Sequence, residues 1–143
     1  MSRRRGGVAI EFALSFSALW AILSGAVEFG YSFYVYNTLA SAVNGGAMLA
    51  SHLPFESPGA NFGDTVKKMV VYGSPAGEAG PLAPGLAMAN VVVKWERDAG
   101  GVPQTITVSI QDYQIRALFR TYMLSDRPRM TVRYMGLYQI SPV

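Results

Sequence analysis

Beyond its first five residues, the amino-terminal third of the chain is almost free of charge. Residues 6–51 contain only two charged side chains, and residues 12–27 contain none. This uncharged run is slightly shorter than the roughly 20 residues that a helix needs to cross a bilayer, but apolar and aromatic residues continue beyond it. Because no proline occurs before Pro54, the pattern predicts a single helix over residues 7–51. At roughly 1.5 Å per residue it would be about 65–70 Å long, so its second half is expected to project from the membrane.

Residues 52–143 have the pattern of a small outer domain made of short elements. Strict alternation of apolar and polar side chains over residues 105–111 is typical of a half-buried strand. The periodicities together predict one short helix and three strands, in the order 61–72, 91–96, 105–111 and 129–138. Residues 116–124 fit either a short helix or an irregular hydrophobic segment.

The predicted fold class is therefore α+β. A long amino-terminal transmembrane α-helix would continue as a stalk and pack against a small antiparallel β-sheet of about three strands with a short helix. Residues 98–101 (Asp-Ala-Gly-Gly) provide turn chemistry for a hairpin between the first two strands. The sheet is expected to need the stalk for support, because a small isolated sheet has only a marginal core.

Charge and composition narrow the range of functions. The net charge is +3, and Arg3, Arg4 and Arg5 supply as much, so the remaining chain is nearly neutral and does not favour nucleic-acid binding. The chain has no cysteine, which excludes thiol catalysis and cysteine metal sites. Its only histidine, His52, lies where the long helix should end. No acidic cluster has metal-ligand spacing, so neither catalysis nor a cofactor is expected.

The charge pattern also predicts how the helix is oriented. The three arginines should remain on the cytoplasmic side, which places the carboxyl-terminal domain outside. Amphipathic aromatic side chains anchor at the outer interface, where Glu28 is expected to reach water rather than to bind a specific partner in another subunit. The residues assigned to this interface are Glu28, Phe29, Tyr31, Phe33, Tyr34 and Tyr36.

Small residues recur every four positions within the apolar run. They are Ala13, Ser17, Ala21 and Gly25. Residues four apart share one face of a helix, and small side chains allow a second membrane helix to approach closely. This strip is a candidate for helix-to-helix packing, although small residues are also common in membrane helices without such a role.

The arrangement of arginines, glycine, four residues and then Glu11-Phe12 resembles the processing site of type IV pilin-like proteins. More closely, it resembles the TadE-like pseudopilins of the Flp/Tad pilus system. The resemblance implies that a prepilin peptidase cuts after Gly6, so residues 1–6 form a basic leader and Gly7 becomes the mature amino terminus. Glu11 is then the fifth mature residue and Phe12 the sixth. Residues 28–37 and 42–50 match the family pattern as well.

The resemblance further implies a structural role in the bacterial inner membrane. The chain would be a minor pseudopilin that primes or regulates assembly of Flp/Tad-type pili, and hence adhesion or secretion. Its implied partners are the prepilin peptidase, the major Flp-type pilin, a sister pseudopilin and the pilus assembly platform. In such assemblies the fifth-position glutamate neutralises an amino terminus, its own or that of a neighbour.

Two alternatives remain open. The chain could be an unprocessed single-pass anchor that carries a periplasmic accessory or binding domain. It could instead be a secreted enzyme whose signal peptide is cut near Ser24-Gly25-Ala26, a small-residue pattern found at such sites. Against the second alternative, Glu11 interrupts the start of the apolar region, and no catalytic constellation is present.

Overall fold

One helix, α1, dominates the molecule and extends over Arg3–His52. In this computed structural model the described residues are 3–56, 60–99 and 101–139. At about 1.5 Å per residue, α1 is roughly 75 Å long, far more than the thickness of a bilayer. The prediction of a long amino-terminal helix is confirmed. The helix ends at His52, two residues before Pro54, because proline and the residue before it disfavour helix.

The outer domain has one further α-helix and seven short strands within the described residues. The elements are α2 (Ala60–Tyr72), β1 (Phe55–Glu56), β2 (Val91–Arg97), β3 (Pro103–Ile110), β4 (Tyr113–Arg116), β5 (Thr121–Leu124), β6 (Arg129–Arg133) and β7 (Tyr138–Gln139). A single 3-10 turn, Met88–Asn90, precedes β2. The main sheet has three antiparallel strands in the order β2-β3-β6, while β4 and β5 form a separate hairpin and β1 pairs in parallel with β7. The α+β prediction is confirmed.

The core lies between the outer half of α1, α2 and the three-stranded sheet. Side chains of α1 at helical spacing are buried there: Val35, Leu39, Val43, Ala47 and Ala50. They meet Val66 and Val70 of α2 and the alternate residues Ile106, Val108 and Ile110 of β3, all fully buried. The strand alternation predicted from the sequence is thus confirmed, and the stalk supplies one wall of the core.

The turn between β2 and β3 forms as the sequence predicts. The Asp98 carboxylate accepts a hydrogen bond from the Val102 amide at 3.0 Å, and the Gly101 amide donates to the Asp98 carbonyl at 3.0 Å. Gly101 has a φ of +80°, a conformation that favours glycine.

Two predicted segments differ from the structure. Residues 116–124 are neither a helix nor irregular, because they contain the second part of the β4–β5 hairpin. The predicted strand 129–138 ends early, at Arg133. The chain then leaves the sheet because the Met135 amide donates to the Ser51 carbonyl of α1, 2.8 Å away.

Tyr134 fastens the end of α1 to the carboxyl-terminal segment. Its hydroxyl accepts from the Phe55 amide at 3.0 Å, and its proton is shared between the carbonyls of Leu53 and Leu137, at 3.0 and 2.9 Å. Burial raises the pKa of Tyr134 above its ordinary value, since the phenolate would lose water. The neutral hydroxyl, which is the ordinary form of tyrosine at neutral pH, can donate to these carbonyls.

Two adjacent glycines of α1 are expected to respond oppositely to alanine. A Cβ on Gly46 would overlap a methyl group of Val70 on α2, whereas a Cβ on Gly45 would lie 3.6 Å from the flexible end of Met69. Overpacking costs about 1–3 kcal/mol, while alanine in a helix gains about 0.5–1 kcal/mol over glycine. Gly46→Ala should lower the thermal unfolding midpoint of the outer domain in detergent, and Gly45→Ala should raise it. Equal shifts in the same direction would contradict the close approach of α1 and α2.

Candidate functional site

The first half of α1 presents apolar side chains to its surroundings over its whole described length. The large ones that are more than half exposed are Val8, Ile10, Phe12, Leu14, Phe16, Leu19, Trp20, Ile22, Leu23 and Val27. Residues 7–27 cover about 30 Å at 1.5 Å per residue, the thickness of the hydrocarbon core of a bilayer. The helix is long and apolar enough to cross a membrane, and it fits a single-pass anchor.

Glu11 is the only charged residue within this exposed stretch. Its side chain is exposed, and among the described side chains it has no hydrogen-bond or ion-pair partner in its own chain. Gly7 and Glu11 are four residues apart, so they lie on one face of the helix, one turn from each other. An amino group created at Gly7 would therefore be within reach of the Glu11 carboxylate.

Phe12 starts an aromatic ridge along the adjacent face. The rings of Phe12 and Phe16 stack at 6.1 Å between centroids, and those of Phe16 and Trp20 at 6.2 Å. Gly6 lies in the first turns of α1, and a Cβ on Gly7 would meet no atom within 4 Å. Gly7, Glu11 and Phe12 are thus placed on an exposed helical segment, and the processing role of these residues and of Gly6 stays a prediction.

The strip of small residues is exposed along most of its length within the described structure. Ala13, Ser17 and Ala21 are exposed, and Gly25 is half-buried. The Ser17 hydroxyl donates to the Ala13 carbonyl at 2.8 Å, so its hydrogen-bonding need is met inside the helix. The strip could therefore enter an apolar contact with another helix without leaving that donor unpaired, and its packing role also stays a prediction.

Glu28 holds the turn of the β4–β5 hairpin against α1. One carboxylate oxygen accepts from the Phe119 amide at 2.9 Å and the other from the Arg120 amide at 3.0 Å. The turn itself is closed by a 2.9 Å bond from the Ala117 amide to the Arg120 carbonyl. Hydrogen bonds to a charged acceptor are each worth about 1.5–3 kcal/mol, so this attachment is a substantial one. We call it the Glu28 clamp.

The clamp corrects the sequence prediction for Glu28. That side chain was expected to reach water, but it is 6% exposed. The two backbone amides replace water as its hydrogen-bond donors, which is the condition for burying a carboxylate. Glu28 is also the first buried residue of α1, since nearly all of the described helix before it is exposed, and from Val35 onward one face of the helix lies in the core.

The other predicted interface residues remain on the surface of the stalk. Phe29, Phe33 and Tyr34 are each at least 66% exposed, whereas Tyr31 and Tyr36 are 40% and 36% exposed. Tyr31 lies in a groove beside Arg116 and Leu118 of the hairpin, and Tyr34 lines a shallow groove together with Leu82. Their assignment to a membrane interface stays a prediction.

An open cleft of about 410 Å³ lies between α1 and the base of the hairpin, with Tyr31, Val35, Asn90 and Tyr113 in its wall. The Tyr113 hydroxyl donates to the Pro84 carbonyl at 2.8 Å. Burial, and to a lesser degree the neighbouring Tyr31, raise the pKa of Tyr113. No group of three or more potential metal ligands occurs within the described ranges.

Sequence reasoning missed the partners of Glu28 entirely. They are backbone amides more than 90 positions away, and a backbone donor leaves no side-chain signature. A weak signal for the hairpin did exist, because β4 alternates between buried Tyr113 and Ile115 and exposed Gln114 and Arg116.

Comparison with known proteins confirms the resemblance of the amino-terminal region. Residues 6–48 match the family model described as TadE-like protein. The match covers less than a third of the chain, and it includes Glu11, the small-residue strip and Glu28 but none of the outer sheet. It supports a protein associated with the Tad pilus. No curated protein and no solved structure matches the chain.

Proposed function

We propose that this chain, TadE-like over residues 6–48, is a membrane-anchored minor pseudopilin that primes or regulates assembly of Flp/Tad-type pili. The observation that carries the proposal is the placement of one carboxylate, Glu11, within the otherwise uncharged, largely exposed and apolar residues 7–27 of α1, one turn from Gly7. A charge in such a segment is costly, and charges kept there usually have a function.

Processing would convert the anchor into an assembly unit. A prepilin peptidase would hydrolyse the Gly6–Gly7 peptide bond, leaving a carboxylate on Gly6 and an α-amino group on Gly7. The leader that departs carries Arg3, Arg4 and Arg5, so the mature helix has less charge to move out of the bilayer. Glu11 would neutralise the new amino group, its own or that of a neighbouring subunit.

Assembly would use the exposed surface of α1. The strip Ala13, Ser17, Ala21 and Gly25 would admit a second helix, contributed by the major pilin or a sister pseudopilin. In the inner membrane the amino terminus would be cytoplasmic and the outer domain periplasmic, where the assembly platform and partner subunits would meet it. The outer domain would act as a structural part and not as an enzyme.

The proposal predicts different fates for two glycine variants in cells that express a prepilin peptidase. Gly6→Leu should remain at full length, because the residue before the cut is replaced, whereas Gly7→Ala should be processed like the unaltered chain. The processed fraction is measured by intact mass. If Gly6→Leu is processed and Gly7→Ala is not, the cut lies after Gly7 and not after Gly6. If Gly6→Leu, Gly7→Ala and the unaltered chain all remain at full length, the unprocessed anchor is favoured.

A further inference from the structure

The turn of the β4–β5 hairpin presents two adjacent large apolar side chains at its tip. Leu118 is 66% exposed and Phe119 is 65% exposed. Full burial of one such side chain is worth about 1.5–3 kcal/mol, so a pair kept in water at the tip of a turn forgoes that stabilisation. The turn has no need of these residues for its own geometry, because its hydrogen bonds are made by the backbone.

The Glu28 clamp fixes the height of this tip along α1. Glu28 directly follows the uncharged residues 12–27, and residues 7–27 cover about 30 Å, the thickness of the hydrocarbon core. With residues 7–27 in the membrane, Glu28 lies at the outer edge of the hydrocarbon core. The amides that it binds belong to Phe119 itself and to Arg120. The apolar tip is consequently held at that same edge.

The charges around the tip suit a phospholipid surface. Arg116 and Arg120, both exposed, stand on either side of the turn. Arginine binds phosphate through paired donors, and its aliphatic stem can lie along apolar surface while the guanidinium stays in the headgroup layer. The Glu28 carboxylate, which holds this turn, already accepts hydrogen bonds from the two amides.

The surface between the turn and α1 continues the apolar face of the membrane segment. A shallow groove of about 410 Å³ runs there, lined by Val27 and Tyr31 of α1 and by Arg116, Ala117 and Leu118 of the hairpin. Val27 is 53% exposed, and Tyr31 has the amphipathic ring that is enriched at membrane interfaces. The apolar surface therefore passes from the helix to the hairpin tip without an acidic interruption.

We propose that the β4–β5 turn inserts into the outer interface of the same bilayer that α1 crosses. Leu118 and Phe119 enter the boundary between headgroups and acyl chains, and Arg116 and Arg120 bind lipid phosphates. The outer domain thus has a second membrane contact besides its helix, which fixes its height and tilt. This inference rests on the membrane anchoring in the proposed function, and a subunit that leaves the membrane must release both contacts.

Single cysteines test the insertion, because the chain contains no cysteine of its own. Full-length Phe119→Cys carries an environment-sensitive fluorophore in vesicles of phosphatidylethanolamine and phosphatidylglycerol. Its two matched controls are Leu19→Cys, where Leu19 is 64% exposed in the middle of the span, and Leu137→Cys, where Leu137 is 72% exposed near the far end of α1. Quenching by brominated acyl chains and by aqueous iodide is compared at the three positions.

The expected result is strong quenching by brominated lipid at positions 19 and 119, and quenching mainly by iodide at position 137. A label at 119 that behaves like the one at 137, while position 19 remains lipid-exposed, would overturn the insertion and leave the anchor intact. Iodide quenching at all three positions would overturn both the insertion and the membrane anchoring. Substitution at 119 keeps the backbone amide that Glu28 binds, so the clamp is retained in the labelled protein.

Discussion

A Glu11→Ala variant is expected to be cut by the prepilin peptidase and yet to assemble few pili. Loss of one partner from a buried charge pair costs about 2 kcal/mol or more, and each 1.4 kcal/mol is tenfold in an equilibrium constant. If Glu11 neutralises an amino terminus at Gly7, association of the mature helix with its neighbours should weaken by at least about tenfold. Surface pili counted in a strain that carries only the variant measure the effect.

Charge and size can be separated at this position. Glu11→Gln keeps the length of the side chain and removes the charge, so it should fail as Glu11→Ala does. Glu78→Ala removes an exposed carboxylate from the loop that follows α2 and should assemble like the unaltered protein. Normal pili from a processed Glu11→Ala chain would contradict the role given to this carboxylate.

A Glu28→Ala variant is expected to release the β4–β5 hairpin from α1 without unfolding the three-stranded sheet. It removes the acceptor of two hydrogen bonds, 2.9 and 3.0 Å long, from the amides of Phe119 and Arg120. A charged acceptor contributes about 1.5–3 kcal/mol per bond. The two amides should therefore exchange with solvent deuterium about tenfold to hundredfold faster, since 1.4 kcal/mol is tenfold.

The loss should be confined to the turn. Amides of β3, such as those of Ile106 and Val108, should keep their protection, because their partners lie in β2 and β6. Glu28→Gln retains one oxygen and should have an intermediate effect, while Glu78→Ala should leave every amide of the hairpin unchanged. Unaltered exchange at Phe119 and Arg120 in Glu28→Ala would show that the clamp does not hold the turn.

Patterns that extend over many residues allowed the main architecture to be predicted. An uncharged stretch without proline predicts a long helix because nothing in it breaks the backbone hydrogen-bond ladder. Strict alternation in β3 predicts a strand because one face meets the core, and Ile106, Val108 and Ile110 are indeed fully buried. The turn at Asp98 was predictable because its chemistry is local.

Features that depend on distant partners were not predictable in the same way. The hairpin of β4 and β5 has only four residues in each strand, too few for a clear period. The apolar pair Leu118-Phe119 lies in the segment interpreted as a short helix or an irregular hydrophobic segment, whereas the structure exposes both side chains at the tip of the hairpin. The environment of Glu28 is set by backbone amides of a turn far along the chain, and sequence reasoning placed that carboxylate in water.

The residues of the candidate site also differ in whether the sequence could predict their role. Glu11, Gly7 and Phe12 were assigned from the resemblance to TadE-like pseudopilins, and the structure adds that Gly7 and Glu11 share a helical face that is open to a neighbour. The Glu28 clamp could be identified only in the structure, because its donors are backbone amides. It links the TadE-like amino-terminal region to the outer domain, and in the proposed insertion it would set the level at which that domain meets the membrane.

The position of the mature amino terminus tests most directly whether a prepilin peptidase processes this chain after Gly6. The full chain is expressed with a prepilin peptidase, recovered from membranes and subjected to amino-terminal sequencing. We expect a chain that begins at Gly7, with Glu11 as its fifth residue. A chain that keeps Arg3, Arg4 and Arg5, or one that begins near Val27, would contradict it.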